Sequence, residues 1–299
     1  MERHERAWAA GFFDGDGWAG SVRNRNGRRP AARVNQSGEH LPVVLERFHR
    51  AVEGRGSLGG PYESRGRRNL YCWVASSAVD VSAVGTSLWP WLTEQRRRQF
   101  EAAVGAICPF ELDVDEDDSK WWAAGLFDAE GSVSLSSHRT HQGYFIGEAA
   151  VTQGSPGGLP TELTRFQEAI GGAGRIYGPF VQKGARLSIY RWKAHRLQDL
   201  CALAGVLRPR LSATKGERLD GALAVLSAQP RLPRGNPAWG AYKTHCINGH
   251  EYATARIRRY VSRGANTPAR DSHQCLECMR ERARARRWRI GDGAEDRPG

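Results

Sequence analysis

The sequence predicts an α+β fold built from two like domains, each with the element order αββαββα, and a small third unit at the carboxyl end. Three observations carry this: an internal repeat, runs whose periodicity switches in the same order in both copies, and a basic tail that holds closely spaced cysteines. "WAAGFFDGDG" at 8–17 returns as "WAAGLFDAEG" at 122–131. "VNQSG" at 34–38 returns as "VTQGS" at 151–155, and "LERFHRAVEGRGSLGGPY" at 45–62 as "LTRFQEAIGGAGRIYGPF" at 163–180. The pairs keep their order and their offset drifts little, so duplication with short loop insertions accounts for them. A chain of 299 residues is long enough for each copy to bury its own core.

The first helix runs to the acids Asp14 and Asp16. "GWAGSVRNR" and "AARVNQ" read as strands joined by the turn "NGRRP", and "GSVSLSS" with "YFIGEAAVTQ" takes their place in the second copy. The next helix, "LPVVLERFHRAV" or "LPTELTRFQEAI", carries apolar residues at helical spacing. "GSLGGPY" then pairs with "NLYCWVA", and "GRIYGPF" with "RLSIYRW". Helical segments close each copy, the last beginning near "PWLTEQRRRQF" or "PRLSATKGERL". These boundaries give domains at 1–107 and 119–226 with an acidic linker at 108–118. A Pro- and Gly-rich linker at 227–242 precedes the third unit at 243–290 and a tail at 291–299. The acids at 113–118 suit a solvated linker, and equally the positive end of the helix that starts near Ser119. In "WAGSVRNR" the small residues leave inward and outward faces unassigned.

The 44 Lys and Arg against 32 Asp and Glu give a net charge of +12, which favours a polyanionic partner over a membrane surface. Residues 243–290 hold 12 of the basic and 4 of the acidic residues. No apolar run approaches the roughly 18 residues of a membrane span, and "MERHERAWAAG" is charged where a signal peptide would be apolar. The expected location is cytoplasmic, on nucleoid DNA. Cys72, Cys108 and Cys201 are isolated, whereas Cys246, Cys275 and Cys278 lie near one another, a pattern of free thiols plus a metal site.

Each repeated helix ends on an acid followed by glycine, Asp16 before Gly17 and Glu130 before Gly131. Asp beside Gly is also an ordinary way to end a helix in a tight turn, but recurrence at the same motif position favours a shared task. If the two halves pair through these helices, Asp16 and Glu130 meet at the pseudo-twofold axis, and "AAG" lets the backbones approach. Two carboxylates at close range repel, and a hard divalent cation such as Mg²⁺ resolves the conflict. In a basic surface such a site suits phosphodiester hydrolysis by metal-activated water.

"AAGFFDGDG" and "AAGLFDAEG" resemble the two signature motifs of a single-chain LAGLIDADG homing endonuclease, and the likeness covers about residues 5–226. The resemblance implies that the motif helices form the domain interface. It further implies that Asp16 and Glu130 hold Mg²⁺ or Mn²⁺, with the carbonyl oxygens of Gly15 and Ala129 as helpers. Gln36 and Gln153 match polar residues that the family places near the attacking water, and Lys215 matches a lysine near the last helix. Arg96 is its counterpart in the first half and suits charge stabilisation, since arginine does not readily act as a base. Strand-end polarity and surface charge are the competing accounts of these residues. By the same resemblance the two sheets form a saddle along the major groove of double-stranded DNA. The candidates for contact are Arg23, Arg25, Arg28, Arg29, Arg33, Arg65, Arg67 and Arg68, then Arg139, Lys183, Arg186 and Arg191. The implied protein is a monomer without an obligate protein partner, cutting an imperfect palindrome. A DNA-binding regulator and an RNA-splicing maturase on the same scaffold are the alternatives.

In the third unit "CINGH" at 246–250 and "CLEC" at 275–278 supply Cys246, His250, Cys275 and Cys278, a tetrahedral Zn²⁺ set, with His245 and His273 as other imidazoles. The stretch 251–274 would hold a short hairpin. The pattern is similar to the zinc-binding element that accompanies many phage and mobile-element nucleases. The arginine-rich "MRERARARRWR" that follows reads as a phosphate-binding helix, with a solvated face as the other account.

Overall fold

The computed structural model describes residues 2–24, 27–63, 68–107, 112–137, 145–181, 186–229, 250, 257–264 and 267–281. The chain forms two compact units, Met1–Gln229 and Pro230–Gly299. In the first unit the order is α1 (Arg3–Asp16), β1 (Gly17–Asn24), β2 (Gly27–Gly38), α2 (Val43–Ala51), β3 (Ser57–Tyr62), β4 (Asn69–Ala75), α3 (Ala78–Leu88) and α4 (Glu94–Val104). The second half repeats it with α5 (Glu116–Glu130), β5 (Gly131–Ser137), β6 (Phe145–Ser155), α6 (Thr161–Ala169), β7 (Arg175–Phe180), β8 (Ser188–Ala194), α7 (Leu197–Leu207) and α8 (Ala213–Ala228). Each half makes a four-stranded antiparallel sheet, of order β1-β2-β4-β3 and β5-β6-β8-β7.

Alternation explains how each sheet divides its side chains. Along β2, Ala32 and Val34 are buried while Arg33 and Asn35 are exposed, because successive residues point to opposite faces. The helices cover the inward face. Phe48 of α2 meets Trp73 of β4 edge to face at 4.9 Å, and Phe166 of α6 meets Trp192 of β8 likewise at 5.0 Å. All four rings are buried, each contributing about 2 kcal/mol by removal from water.

Two boundaries differ from the sequence reading. β2 begins at Gly27, so residues placed in the turn "NGRRP" extend the hairpin strand instead. α5 begins at Glu116 with Asp115 as its N-cap. The Asp115 side chain accepts from the Asp118 backbone N–H at 2.8 Å and the Asp118 side chain accepts from that of Asp115 at 3.3 Å. Of the two readings of these acids, the helix end holds for Asp115, Glu116, Asp117 and Asp118, which are the cap and first turn of α5, where orphan N–H groups favour negative charge.

α1 and α5 pack together at the centre of the unit. A Cβ at Gly11 would lie 1.9 Å from the carbonyl oxygen of Trp122, and one at Gly125 would lie 1.9 Å from that of Trp8. Only glycine permits this approach. In the second unit β9 (Ile257–Gly264) and β10 (Thr267–Cys275) form an antiparallel hairpin within the stretch where one was expected, and residues 276–281 are helical. Among the described residues no helix is long and apolar enough to cross a membrane.

Candidate active site

The close crossing of α1 and α5 brings the last two turns of both helices together, and the two acids of each motif take different places there. Asp14 is buried. It accepts hydrogen bonds from Trp122 Nε1 of the other half (2.7 Å), from Thr93 Oγ1 (2.8 Å) and from the Thr93 backbone N–H (3.1 Å). Asp128 repeats this with Trp8 Nε1 (3.0 Å), Ser212 Oγ (2.6 Å) and the Ser212 N–H (2.9 Å). Thr93 and Ser212 are the N-caps of α4 and α8, so each acid ties its own half's last helix to the other half's tryptophan. Arg165 lies over the Trp122 ring and Arg47 over the Trp8 ring, both at 4.0 Å, placing a cation near each acid. Burial lifts Asp14 to about 6, against the pull of these donors and of Arg165.

Asp16 and Glu130, the final acids, lie beside each other across the crossing. Burial lifts Asp16 to about 6. Burial and the Asp16 charge together lift Glu130 to about 7. Lys215 and Arg96 oppose both shifts, so two cations face the same pair of carboxyls. Gln36 Nε2 donates to Asp16 Oδ2, whereas the equivalent Gln153 Nε2 is buried without a hydrogen-bond partner among the described residues. Arg96 donates to the carbonyls of Asp14 (2.9 Å) and Gly15 (3.2 Å) and to Gln99 Oε1 (3.1 Å). Lys215 donates to the Gly131 carbonyl, and burial holds its ammonium below the usual lysine range.

The donor set fits a hard divalent cation. Two carboxylates converge with too little protein charge on either to keep its ordinary pKa, and buried carboxylate oxygens are the ligands that such a cation prefers. The Gly15 carbonyl, expected as a helper, already accepts from Arg96.

Strand pairing sorts the arginines. Arg23 and Arg28 pair with each other on the face that carries Ala19 and Ala32, the helix-packed side. Arg29 and Arg33 lie on the opposite, open face with Trp18, as does Arg191 in the second half. Arg68 and Arg186 are exposed just before β4 and β8. Arg25, Arg65, Arg67, Arg139 and Lys183 lie outside the described residues.

In the second unit His250, Cys275 and Cys278 bring their ligand atoms within 4.8 Å of one another. His250 Nδ1 lies 3.2 Å from Cys278 Sγ and 3.8 Å from Cys275 Sγ, and its Nε2 lies 3.2 Å from Glu281. One ring nitrogen faces both sulfurs while the other is oriented by a carboxylate, an arrangement that suits Zn²⁺. Cys246 and His245 lie outside the described residues, as does the side chain of His273.

The sequence reading missed the roles of Trp8, Trp122, Thr93 and Ser212. A signal was present, since tryptophan and the earlier acid recur at matching places in both motifs.

No family model and no curated protein sequence matches the chain. Among solved structures, it is similar to the LAGLIDADG homing endonuclease I-GzeII in complex with its DNA target (TM-score 0.54, 14% identity, 82% of this chain and 94% of that one). It is also similar to the LAGLIDADG meganuclease I-AabMI bound to uncleaved DNA (0.55, 12%, 74% and 90%) and to I-CpaMI bound to uncleaved DNA (0.53, 9%, 74% and 90%). The chain has the fold of two-domain LAGLIDADG proteins.

Proposed function

We propose that this chain is a sequence-specific endonuclease that hydrolyses double-stranded DNA at the carboxylate pair formed by Asp16 and Glu130. The observation that carries the reading is that pair, set at the crossing of two motif helices and faced by Lys215 and Arg96. The DNA complexes of the similar structures support the substrate class.

Asp16 and Glu130 would hold Mg²⁺ or Mn²⁺, which when bound supplies an activated water and neutralises charge on the phosphate. Gln36 orients the Asp16 carboxylate. Gln153 offers its unpartnered amide to a water or a phosphate oxygen. Lys215 stabilises the charge that builds on the phosphate during attack. Arg96 adds positive charge but keeps its guanidinium on the helix-end carbonyls. Arg29, Arg33 and Arg191 grip the duplex from the open faces of the sheets. In the second unit His250, Cys275 and Cys278, with Cys246, would hold Zn²⁺ and steady a basic segment that adds affinity.

Binding and cutting separate under substitution. Asp16→Asn and Glu130→Gln each lower cleavage by at least roughly 100-fold, as expected when a metal-ligating carboxylate is lost, while specific duplex binding persists. Full cleavage by either variant overturns the reading.

A further inference from the structure

The internal repeat allows the two sheets to be compared position by position, because β1 to β4 pair in the same registers as β5 to β8. Along the central strands the helix-facing residues recur: Ala32 and Ala149, Val34 and Val151, Gln36 and Gln153, Tyr71 and Tyr190, Trp73 and Trp192, Ala75 and Ala194. On the open side they differ. Trp18 is replaced by Ser132, Arg33 by Ala150, Ala31 by Glu148 and Val74 by Lys193. The inward face answers to one packing problem in both halves. The outward face answers to two different surfaces.

Glu148 is the notable member of that outward set. It is a carboxylate on the open face of a sheet in a chain of net charge +12. Its Oε2 lies 3.0 Å from Lys193 Nζ and 3.5 Å from His195 Nδ1, and its side chain is about a third exposed (31%). A carboxylate turned toward DNA is repelled by phosphates unless a base donates to it. In the major groove the donors are exocyclic amines, and glutamate pairs with N4 of cytosine, while lysine pairs with O6 and N7 of guanine. Glu148 and Lys193 together carry both halves of one base pair's pattern.

We propose, on the basis of the endonuclease reading above, that Glu148 with Lys193 reads one C·G pair in the half-site under the second sheet. The aligned Ala31 and Val74 offer no polar group, so the mirror-related position in the other half-site is not read by this pair, and the target departs from a palindrome there.

The test is a base-preference profile. Duplexes randomised across the target are selected by cleavage, and in parallel by retention, with the wild-type protein, Glu148→Gln and Glu148→Ala. The expected wild-type profile has a C·G requirement at one position of one half-site only. Glu148→Ala relaxes that position by about tenfold or more, and Glu148→Gln moves it toward adenine, with other positions unchanged. If the variants keep the wild-type preference everywhere and only bind all sequences more tightly, Glu148 merely anchors Lys193 and the proposal is overturned while the endonuclease reading stands. If the wild-type protein shows no preference among duplexes, the endonuclease reading falls and takes the proposal with it.

Discussion

At the residue scale, the two acids of each motif have opposite chemistry although they sit two positions apart. Asp14 and Asp128 are saturated with donors from both halves, so they hold the interface and the last helices. Truncating one leaves a buried indole N–H and a helix N-cap without an acceptor. Asp14→Ala and Asp128→Ala are each expected to cost about 3 kcal/mol, read by urea denaturation. Asp16 and Glu130 are instead short of donors, and burial raises them to about 6 and about 7. A carboxyl raised in the folded state contributes stability that is complete below its unfolded pKa and is lost as pH rises through the folded value. Metal-free protein therefore melts lower at pH 8 than at pH 5. The Asp16→Asn, Glu130→Gln double variant shows a smaller decline. Added Mg²⁺ restores the wild-type melting temperature at pH 8 but not at pH 5, where both ligands are protonated. A melting temperature indifferent to Mg²⁺ at pH 8 contradicts the assignment of these two carboxyls.

At the element scale, the α1–α5 crossing depends on two glycines. Gly11→Ala or Gly125→Ala drives a methyl into the opposing backbone, and the expected cost is at least about 3 kcal/mol. The melting temperature of the first unit falls by roughly 6–12 °C, which differential scanning calorimetry reads. The repeat made these helices, the two strand pairs and the final acids legible, because duplication doubles each local signal. Other features were not legible for physical reasons. The start of β2 lay hidden behind Pro30 and Gly27, which read as a turn until the pairing of Val22 with Arg29 and of Ser21 with Pro30 is seen. The first turn of α5 stayed between two readings and its start was set near Ser119, because acids suit water and a helix N-terminus alike. The faces of Arg23 and Arg33 depend on register, which small residues in β1 leave open. Trp8 and Trp122 recur with the earlier acid in both motifs, but recurrence alone does not say that their indole N–H groups reach across to Asp128 and Asp14, a contact that spans more than a hundred residues.

At the scale of the whole molecule, the first unit pairs inward faces whose central-strand residues recur in both halves with divergent outward ones. In the proposed endonuclease these faces would grip a long, asymmetric duplex around the one carboxylate pair at the α1–α5 crossing. The second unit supplies an imidazole and two thiols in reach of a single ion, beside a basic segment. Cys275→Ser is expected to lower bound zinc, measured by elemental analysis, and to weaken DNA binding by about tenfold with a shallower salt dependence. Unchanged zinc content contradicts that site. The proposed cleavage centre for duplex DNA is the Asp16 and Glu130 pair. Its most direct test is Mg²⁺-dependent cutting of a randomised duplex library, with the Asp16→Asn protein in parallel. The expected result is cuts at one asymmetric sequence that vanish in the variant or when Mg²⁺ is chelated. Specific retention of duplexes without cutting, or cutting that survives Asp16→Asn, would contradict it.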